Sequence, residues 1–317
     1  MQNNYLEQVK LRGNRTVKKP IAAMVMAGAA AFADQASAEQ LWDPYLRGVN
    51  EGLAAGALPP PGVYFVLDSY LAQYNLYSPG NKQAPDTGLT ALVQVPIVLW
   101  STGVKILGAD YAVAIAQPFD YTSVDAGYGH PTGQGNWGTF NTILVPGQLA
   151  WTFGDYHIKT GLEVYLPTAT STVNTSNWRG GLPSGNDYAA LQPDLAFSWL
   201  HDGWNLSADL HVAFPITSSN TATGSYRSGN EFAADYTVAK TFGKWTFGVG
   251  AHQENQFNAD TLNGRSVSNS IVTNFGLGPL IGYQFVGIGI IAEWNHNLYA
   301  RNDVAGNFFN FRFVVPL

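Results

Sequence analysis

The sequence predicts an all-β fold: a transmembrane antiparallel β-barrel of about twelve strands, preceded by a short N-terminal segment. Three observations predict it. The chain ends on "NFFNFRFVVPL", in which Phe309, Phe311, Phe313, Val315 and Leu317 alternate with Asn310, Arg312, Val314 and Pro316. In a soluble domain a last strand with one oily face is an exposed, sticky edge; in a closed barrel that face meets lipid. The connections between strand-like runs also alternate between tight and long, as they do in outer-membrane barrels, whereas a sandwich has no reason to sort its loops. Finally, only 12% of the residues are charged and 13% are aromatic. No window approaches the ~18 consecutive apolar residues of a membrane helix.

Taken in order, residues 1–38 read as an export signal. Lys10, Arg12, Arg15, Lys18 and Lys19 form a positive region, "PIAAMVMAGAAAFA" (20–33) a short apolar core, and "ASA" (36–38) a small-x-small cleavage site. The expected mature chain starts at Glu39 after cleavage near Ala38, and its expected location is the outer membrane of a Gram-negative cell. Residues 39–61 come before any strand pattern and are a candidate to occupy the barrel interior. Within them "YLRGVNEGLAAGAL" is expected to form a short helix that the triple proline at 59–61 stops.

The barrel itself is expected over 62–317. Strand-like runs lie near 62–74, 89–100, 104–118, 139–153, 156–168, 188–201, 204–215, 231–242, 245–256, 270–284, 287–299 and 307–317. Tight turns are expected at "STGV" around Gly103, "FGDY" at Gly154, "HDGW" at Gly203 and "FGKW" at Gly243, and these should face the periplasm. The long polar connections at 119–137, 169–187, 216–230 and 257–269 should face outside. Three strands end in proline as they enter long loops ("AIAQPF", "VYLPTAT", "VAFPITS"), which suits a rim, because proline cannot donate to the ladder. Trp100, Trp151, Trp199, Trp204 and Trp245 gather toward the tight-turn end, as an interfacial aromatic girdle requires.

Alternation assigns the two faces. In "NLSADLHVAF", Leu206, Ala208, Leu210, Val212 and Phe214 point outward, while Asn205, Ser207, Asp209, His211 and Ala213 point inward. The same rule turns His157, Lys159, Gly161, Glu163 and Tyr165 inward, and likewise Glu293, Asn295 and Asn297. A slip of one residue would put charges in lipid, at a cost of ~2–4 kcal/mol for a midplane Lys or Arg. The expected lumen also carries Asp68, Tyr70, Asp110, Asp194, Asp235, Glu254 and Arg312, with Leu92, Val98, Ala112, Gly250, Gly278 and Leu280 between them. Arg312 is then a buried cation, and Asp68 or Glu293 is its expected partner.

With these residues in view, the chain resembles the meta-pathway phenol-degradation family of outer-membrane proteins, which are channels for hydrophobic compounds. The resemblance rests on "GALPPPGVYFVLDSYLAQYNLY" (56–77), a proline–glycine run followed at once by a Tyr-rich first strand. The "LPT"-like strand ends and the aromatic last strand agree with it, and it covers the whole mature chain, 39–317. Leu317 departs from the usual terminal Phe, which weakens the match to the signal read by the barrel-assembly machinery, the expected partner during insertion. The resemblance implies a transport role in the outer membrane.

The expected function is passive uptake of small hydrophobic or aromatic molecules through a narrow, mixed lumen. Asp68, Tyr70, Lys159, Glu163, Asp209, His211, Glu293 and Arg312 are the candidate substrate-contacting residues, and outer-membrane lipid surrounds the barrel. Two other classes compete. Asp209 and His211, at i and i+2 on one face, have the spacing of a base with its orienter, as a hydrolase would need. The Ser/Thr/Gly-rich loops suit a structural or adhesion barrel. No cofactor is expected. The six histidines never place three on one face, so they offer no metal site, and the absence of cysteine excludes disulfides, thiolate metal ligation and an acylated-Cys anchor. A net charge of −6 gives no reason to expect nucleic acid.

Overall fold

In the computed structural model, residues 42–85, 87–124, 135–170, 184–221 and 224–317 are described. The expected signal peptide and cleavage site, and parts of three of the long loops (125–134, 171–183 and 222–223), lie outside them. The wall begins with β1 (Gly62–Tyr77), β2 (Leu89–Ile106) and β3 (Ala109–Ala116), with β4 (Phe119–Val124) and β5 (Gly135–Thr139) forming a hairpin above β3 and β6 (Ile143–Phe153). It continues through β7 (Tyr156–Tyr165), β8 (Ala190–His201) and β9 (Trp204–Pro215). Then come β10 (Ser219–Thr221) and β11 (Gly224–Arg227) at the rim, followed by wall strands β12 (Glu231–Phe242) and β13 (Trp245–Gln256). Two more rim strands, β14 (Thr261–Leu262) and β15 (Arg265–Ser266), precede β16 (Thr273–Phe285), β17 (Ile288–Arg301) and β18 (Asp303–Pro316).

Twelve of these strands form the closed antiparallel wall, each paired with its sequence neighbour around the ring. Closure is made by the chain ends. β1 pairs with β2 on one side and with β18 on the other, from Tyr64 opposite Pro316 to Tyr77 opposite Asp303. This leaves the oily terminal strand with no free edge. Phe309 and Phe311 point outward and are exposed, while Phe308, Asn310 and Arg312 are buried inside.

Five two-residue turns cluster at one end of the barrel. Leu107–Gly108, Asp202–Gly203 and Val286–Gly287 have positive φ at both residues, the geometry that follows the twist of adjoining strands. At Gly154 and Gly243 only the first turn residue is left-handed, the mirror type-II form. The turn expected at Gly103 is therefore corrected to Leu107–Gly108. "STG" makes a bulge instead: the register shifts between Ser101 and Lys105, with Gly103 at φ 74°. Thr102 Oγ1 donates to Tyr111 O (2.8 Å) and accepts from Val104 N (3.1 Å), so local turn chemistry is satisfied without ending the strand. Around this end Trp100, Trp204 and Trp245 are 52%, 41% and 47% exposed, flanked by exposed Phe153, Tyr156 and Phe242. That outward aromatic ring is the girdle of a barrel interface.

Alternation holds on β9, where Ser207, Asp209, His211 and Ala213 are buried between less buried apolar residues. It fails on β2. Leu92 and Val98, expected inside, face out; Ala91, Val93, Val95 and Ile97 face in. The inward face is wholly apolar, and the outward one mixes Leu92 and Val98 with Thr90 and Gln94, so the pattern gives no sign that puts the right face inside. Asp110, also expected in the lumen, is half exposed beside the Leu107–Gly108 turn, where its Oδ1 pairs with Lys105 Nζ at 2.6 Å.

At the opposite end, β10, β11, β14 and β15 form a four-stranded rim sheet. Asp260 ties its loops together, accepting from Gly229 N (2.8 Å) and from Tyr226 Oη. Burial pushes the Asp260 carboxyl up to about 6. A raised carboxyl favours the protonated folded form, so this contribution to rim stability is complete below the ordinary carboxylate range and is lost as pH rises through about 6.

Closure predicts that Ser69→Cys with Phe311→Cys, directly opposite each other across the β1–β18 seam, crosslinks on oxidation in membranes. Ser69→Cys with Phe313→Cys, displaced by two residues, should not crosslink; equal yields would place the seam in another register. The loop sorting predicts a second outcome. An epitope inserted between Asn263 and Gly264, at the exposed tip of the β14–β15 hairpin, should bind antibody on intact cells. Binding only after permeabilisation would invert the orientation.

Candidate functional site

The interior of the barrel is occupied by residues 42–61. They do not form the expected helix, and no helix occurs among the described residues. The segment is a chain of turns, closed by Val49 N to Leu46 O (3.1 Å), Glu51 N to Gly48 O (3.1 Å), Leu53 N to Asn50 O (3.3 Å) and Ala57 N to Ala54 O (2.9 Å). Gly48 and Gly52 sit at φ 78° and 80°, which only glycine adopts without strain. The wall takes the backbone groups that a helix would have used. Asp235 on β12 accepts from Gly48 N (2.9 Å), Asn50 N (2.8 Å) and Tyr45 Oη (2.7 Å). Thr237 accepts from Gly52 N and Ser198 from Gly56 N, both at 2.8 Å. From β18, Arg312 donates to Glu51 O at 2.7 Å and to Val49 O. Tertiary hydrogen bonds thus outweigh local helix formation, and the inward polar residues of the wall are the hooks.

The segment runs lengthwise through the lumen. Trp42 O accepts from Asn186 near the long-loop end (2.7 Å), and Pro59 O accepts from Ser101 near the tight-turn end (3.0 Å). Its approach to the wall is close. A Cβ on Gly56 would lie 2.5 Å from His157 O and 2.6 Å from Ser198 N, so a larger residue there would push the segment off β7 and β8. On the wall side, Gly250 makes room for the Glu51 carboxylate, which accepts from Asn295 at 2.7 Å.

The eight residues singled out from the sequence fall into two groups on opposite walls, with the inner segment between them. At the closing seam Arg312 Nε donates to Asp68 Oδ1 at 2.8 Å, and Asn310 bridges Asp68 (2.9 Å) and Glu293 (3.0 Å). Between the two expected partners of Arg312, Asp68 makes the direct bond. Tyr70 stacks on Phe308 at 4.4 Å and shares a hydrogen bond with Tyr74. Across the lumen Lys159 Nζ stands 3.9 Å from both Asp194 and Asp209, and His211 Nε2 lies 3.3 Å from Asp209. His211 Nδ1 faces Gln192 (3.3 Å) and Glu163 (4.0 Å), and its ring is covered by Tyr45 at 4.2 Å. The nitrogens of His211 face carboxylates and an amide, and the described residues put no hydroxyl nucleophile in hydrogen bond with it, as hydrolysis would need.

Sequence reading missed a third group, built on Arg47. Its guanidinium pairs with Glu254 (2.9 Å), Asp303 (3.0 Å) and Asp43 (3.0 Å), and donates to Val304 O at 2.9 Å. A signal for it was present: Gly48, Gly52 and Gly56 recur every fourth residue beside Arg47 and Glu51, and glycine at that density weakens a helix.

The polar contacts draw the inner segment toward β8, β9, β12, β13, β17 and β18. On the other side a cavity of about 450 Å³ remains between the segment and the arc from β1 to β7. Its lining is largely apolar, with Val93, Val95, Ile97 and Leu99 of β2 and with Leu53 and Leu58 of the segment. Charged side chains line it too: Asp43 and Arg47 of the segment, and Asp68, Lys159, Glu163, Asp209 and Arg312 of the wall. The volume is that of a small-molecule site. Three of the four register shifts in the wall, on β2, β3 and β6, fall in this arc.

Because Asp235 alone accepts three donors of the inner segment, Asp235→Ala should loosen it. In the wild type, Arg47 is buried and should resist trypsin in the folded barrel; in the variant, cleavage at Arg47 should appear while the barrel stays heat-modifiable. Continued protection would show that other contacts hold the segment.

A profile of the family described as "Putative MetA-pathway of phenol degradation" matches residues 75–313. Among curated proteins none matches the chain in sequence. An outer membrane channel from Pseudomonas putida F1 is similar in structure, with a TM-score of 0.71 at 12% identity, covering 87% of this chain and 100% of that one. The transport unit of the autotransporter AIDA-I from Escherichia coli gives 0.48 at 8% identity, over 92% and 96% of the two chains. With the profile spanning most of the wall, and a closed twelve-stranded barrel built around an occupied lumen, the chain belongs to this phenol-degradation family and has the fold of an outer-membrane β-barrel.

Proposed function

We propose that the barrel admits small hydrophobic and aromatic molecules and passes them along the apolar arc of its lumen. The observation that carries this reading is the division of the interior. Polar side chains of one half are engaged with residues 42–61, and much of the surface around the free volume is apolar, supplied by β2 and the Ala/Leu-rich stretch of the segment. A general porin lines its passage with charged and polar groups, which favours ions and sugars. Here a polar solute would lose hydration against Val93, Val95 and Ile97 without replacement. A ring burying roughly 100 Å² against the same wall would gain about 2.5 kcal/mol, at about 25 cal/mol per Å². That is enough to enter and weak enough to leave, as passive conduction requires. Lys159, Glu163, Asp68 and Arg312 in the lining would orient a polar substituent. Outside, the exposed aliphatic and aromatic face would meet outer-membrane lipid after export and insertion by the assembly machinery.

Uptake by whole cells tests this. Deleting the protein should slow initial uptake of a radiolabelled neutral aromatic at low concentration and leave uptake of a small sugar unchanged. Restoring the wild type should recover the rate, whereas Val95→Glu, which places a charge on the apolar arc, should recover less than about a tenth of it. This corresponds to the ~1.4 kcal/mol that a tenfold change represents. An aromatic uptake rate indifferent to deletion, or full recovery by a folded Val95→Glu barrel, would sink the reading.

A further inference from the structure

We propose that the long-loop end of the lumen binds a hard divalent cation of the calcium class between Asp43 of the inner segment, Glu231 of β12 and Glu254 of β13. The ion would staple the leading end of the segment to the wall. One carboxylate oxygen from each of the three residues lies within 4.8 Å of the other two. Oxygens bound to one ion at about 2.4 Å are spread over that range. A second observation points the same way. Glu254 is 0% exposed and its Oε1 has no hydrogen-bond partner, while its Oε2 reaches Arg47 at 2.9 Å. Arg47 also touches Asp43 and Asp303, so the carboxylates in contact with it carry more charge than its guanidinium offsets. A buried carboxylate oxygen without a partner is costly, and a cation is the ligand that removes the cost.

The donor set decides the chemistry. Three carboxylates with no imidazole or thiolate favour an ion that prefers oxygen, and disfavour zinc or copper. The three ligands come from positions 43, 231 and 254, and only the folded barrel with its segment in place assembles them. By linkage, an ion bound there stabilises the occluded arrangement over one in which Asp43 has moved away. Glu231 begins β12 where the chain leaves the 216–230 loop, so the site lies toward the outer mouth. The proposal stands apart from the identity of the transported molecule.

The test uses the full chain, folded in detergent, stripped with EDTA and titrated with terbium as a luminescent calcium stand-in. Trp42, next to Asp43, serves as the sensitiser. One ion per barrel is expected, displaced by calcium with an affinity on the order of 10⁻⁴ to 10⁻³ M. Glu254→Gln and Glu231→Gln, folded as judged by heat-modifiable mobility, should each weaken binding by more than roughly tenfold. In the Asp235→Ala barrel, whose segment is already loosened and whose proposed ligands are intact, trypsin should cut at Arg47 more slowly in calcium than in EDTA. No luminescence gain at millimolar terbium overturns the site, and so does undiminished binding in both folded variants. Should neither variant fold, equal cleavage rates at Arg47 of the Asp235→Ala barrel in calcium and EDTA overturn it.

Discussion

Arg312 stands where three parts of the chain meet. From the last strand it bonds Asp68 of the first strand, and so helps to lock the seam that closes the barrel. The same guanidinium donates to Val49 O and Glu51 O, fixing the middle of the inner segment. It is 1% exposed, so its charge is tolerated only because each arm of its planar fork has an acceptor. Removing one partner of such a buried pair typically costs about 3–5 kcal/mol, since the other charge is left uncompensated. Closure and occlusion therefore share one residue, and neither geometry can change without disturbing the other.

The inner segment explains why a barrel needs so many charged and polar residues in its interior. A strand pays no backbone cost in a barrel, because its neighbours take its N–H and C=O groups. A segment that crosses the lumen as turns has no such neighbours, and each buried amide left unpaired would be costly. Asp235, Thr237, Ser198, Asn205 and Arg312 supply the partners, so the wall acts as the segment's missing secondary structure. Among the described residues, the opposite arc holds the segment only near its end, by Ser101 to Pro59 O and Tyr64 to Pro60 O. It is free to be apolar, and the passage for apolar molecules follows from this asymmetry.

Much of the fold was legible because alternation carried a sign. On β9, with Asp209 and His211 set against Leu210 and Val212, one register keeps charge out of lipid and the other does not. The turns "FGD", "HDG" and "FGK" declare themselves by glycine at a position needing positive φ. Where the sign vanished, reading failed. The inward Val93 and the outward Leu92 are chemically alike, and "STG" offers the same local chemistry to a turn and to a bulge. The pairing of Lys105 with Asp110 around Leu107–Gly108 settles which one forms.

The sequence by itself determined the class of fold, the sorting of tight and long connections, and the inward direction of Asp68, Glu163, Asp209, Glu293 and Arg312. Period-2 patterning and the cost of charge in lipid are local constraints, written residue by residue. Only the tertiary structure decided that 42–61 would be turns inside the lumen, because its donors are satisfied by residues about 140 to 190 positions away. It also decided which carboxylate Arg312 would take and which half of the interior would stay apolar. Those outcomes depend on the distance between strands on a closed ring, and no window of sequence contains that distance.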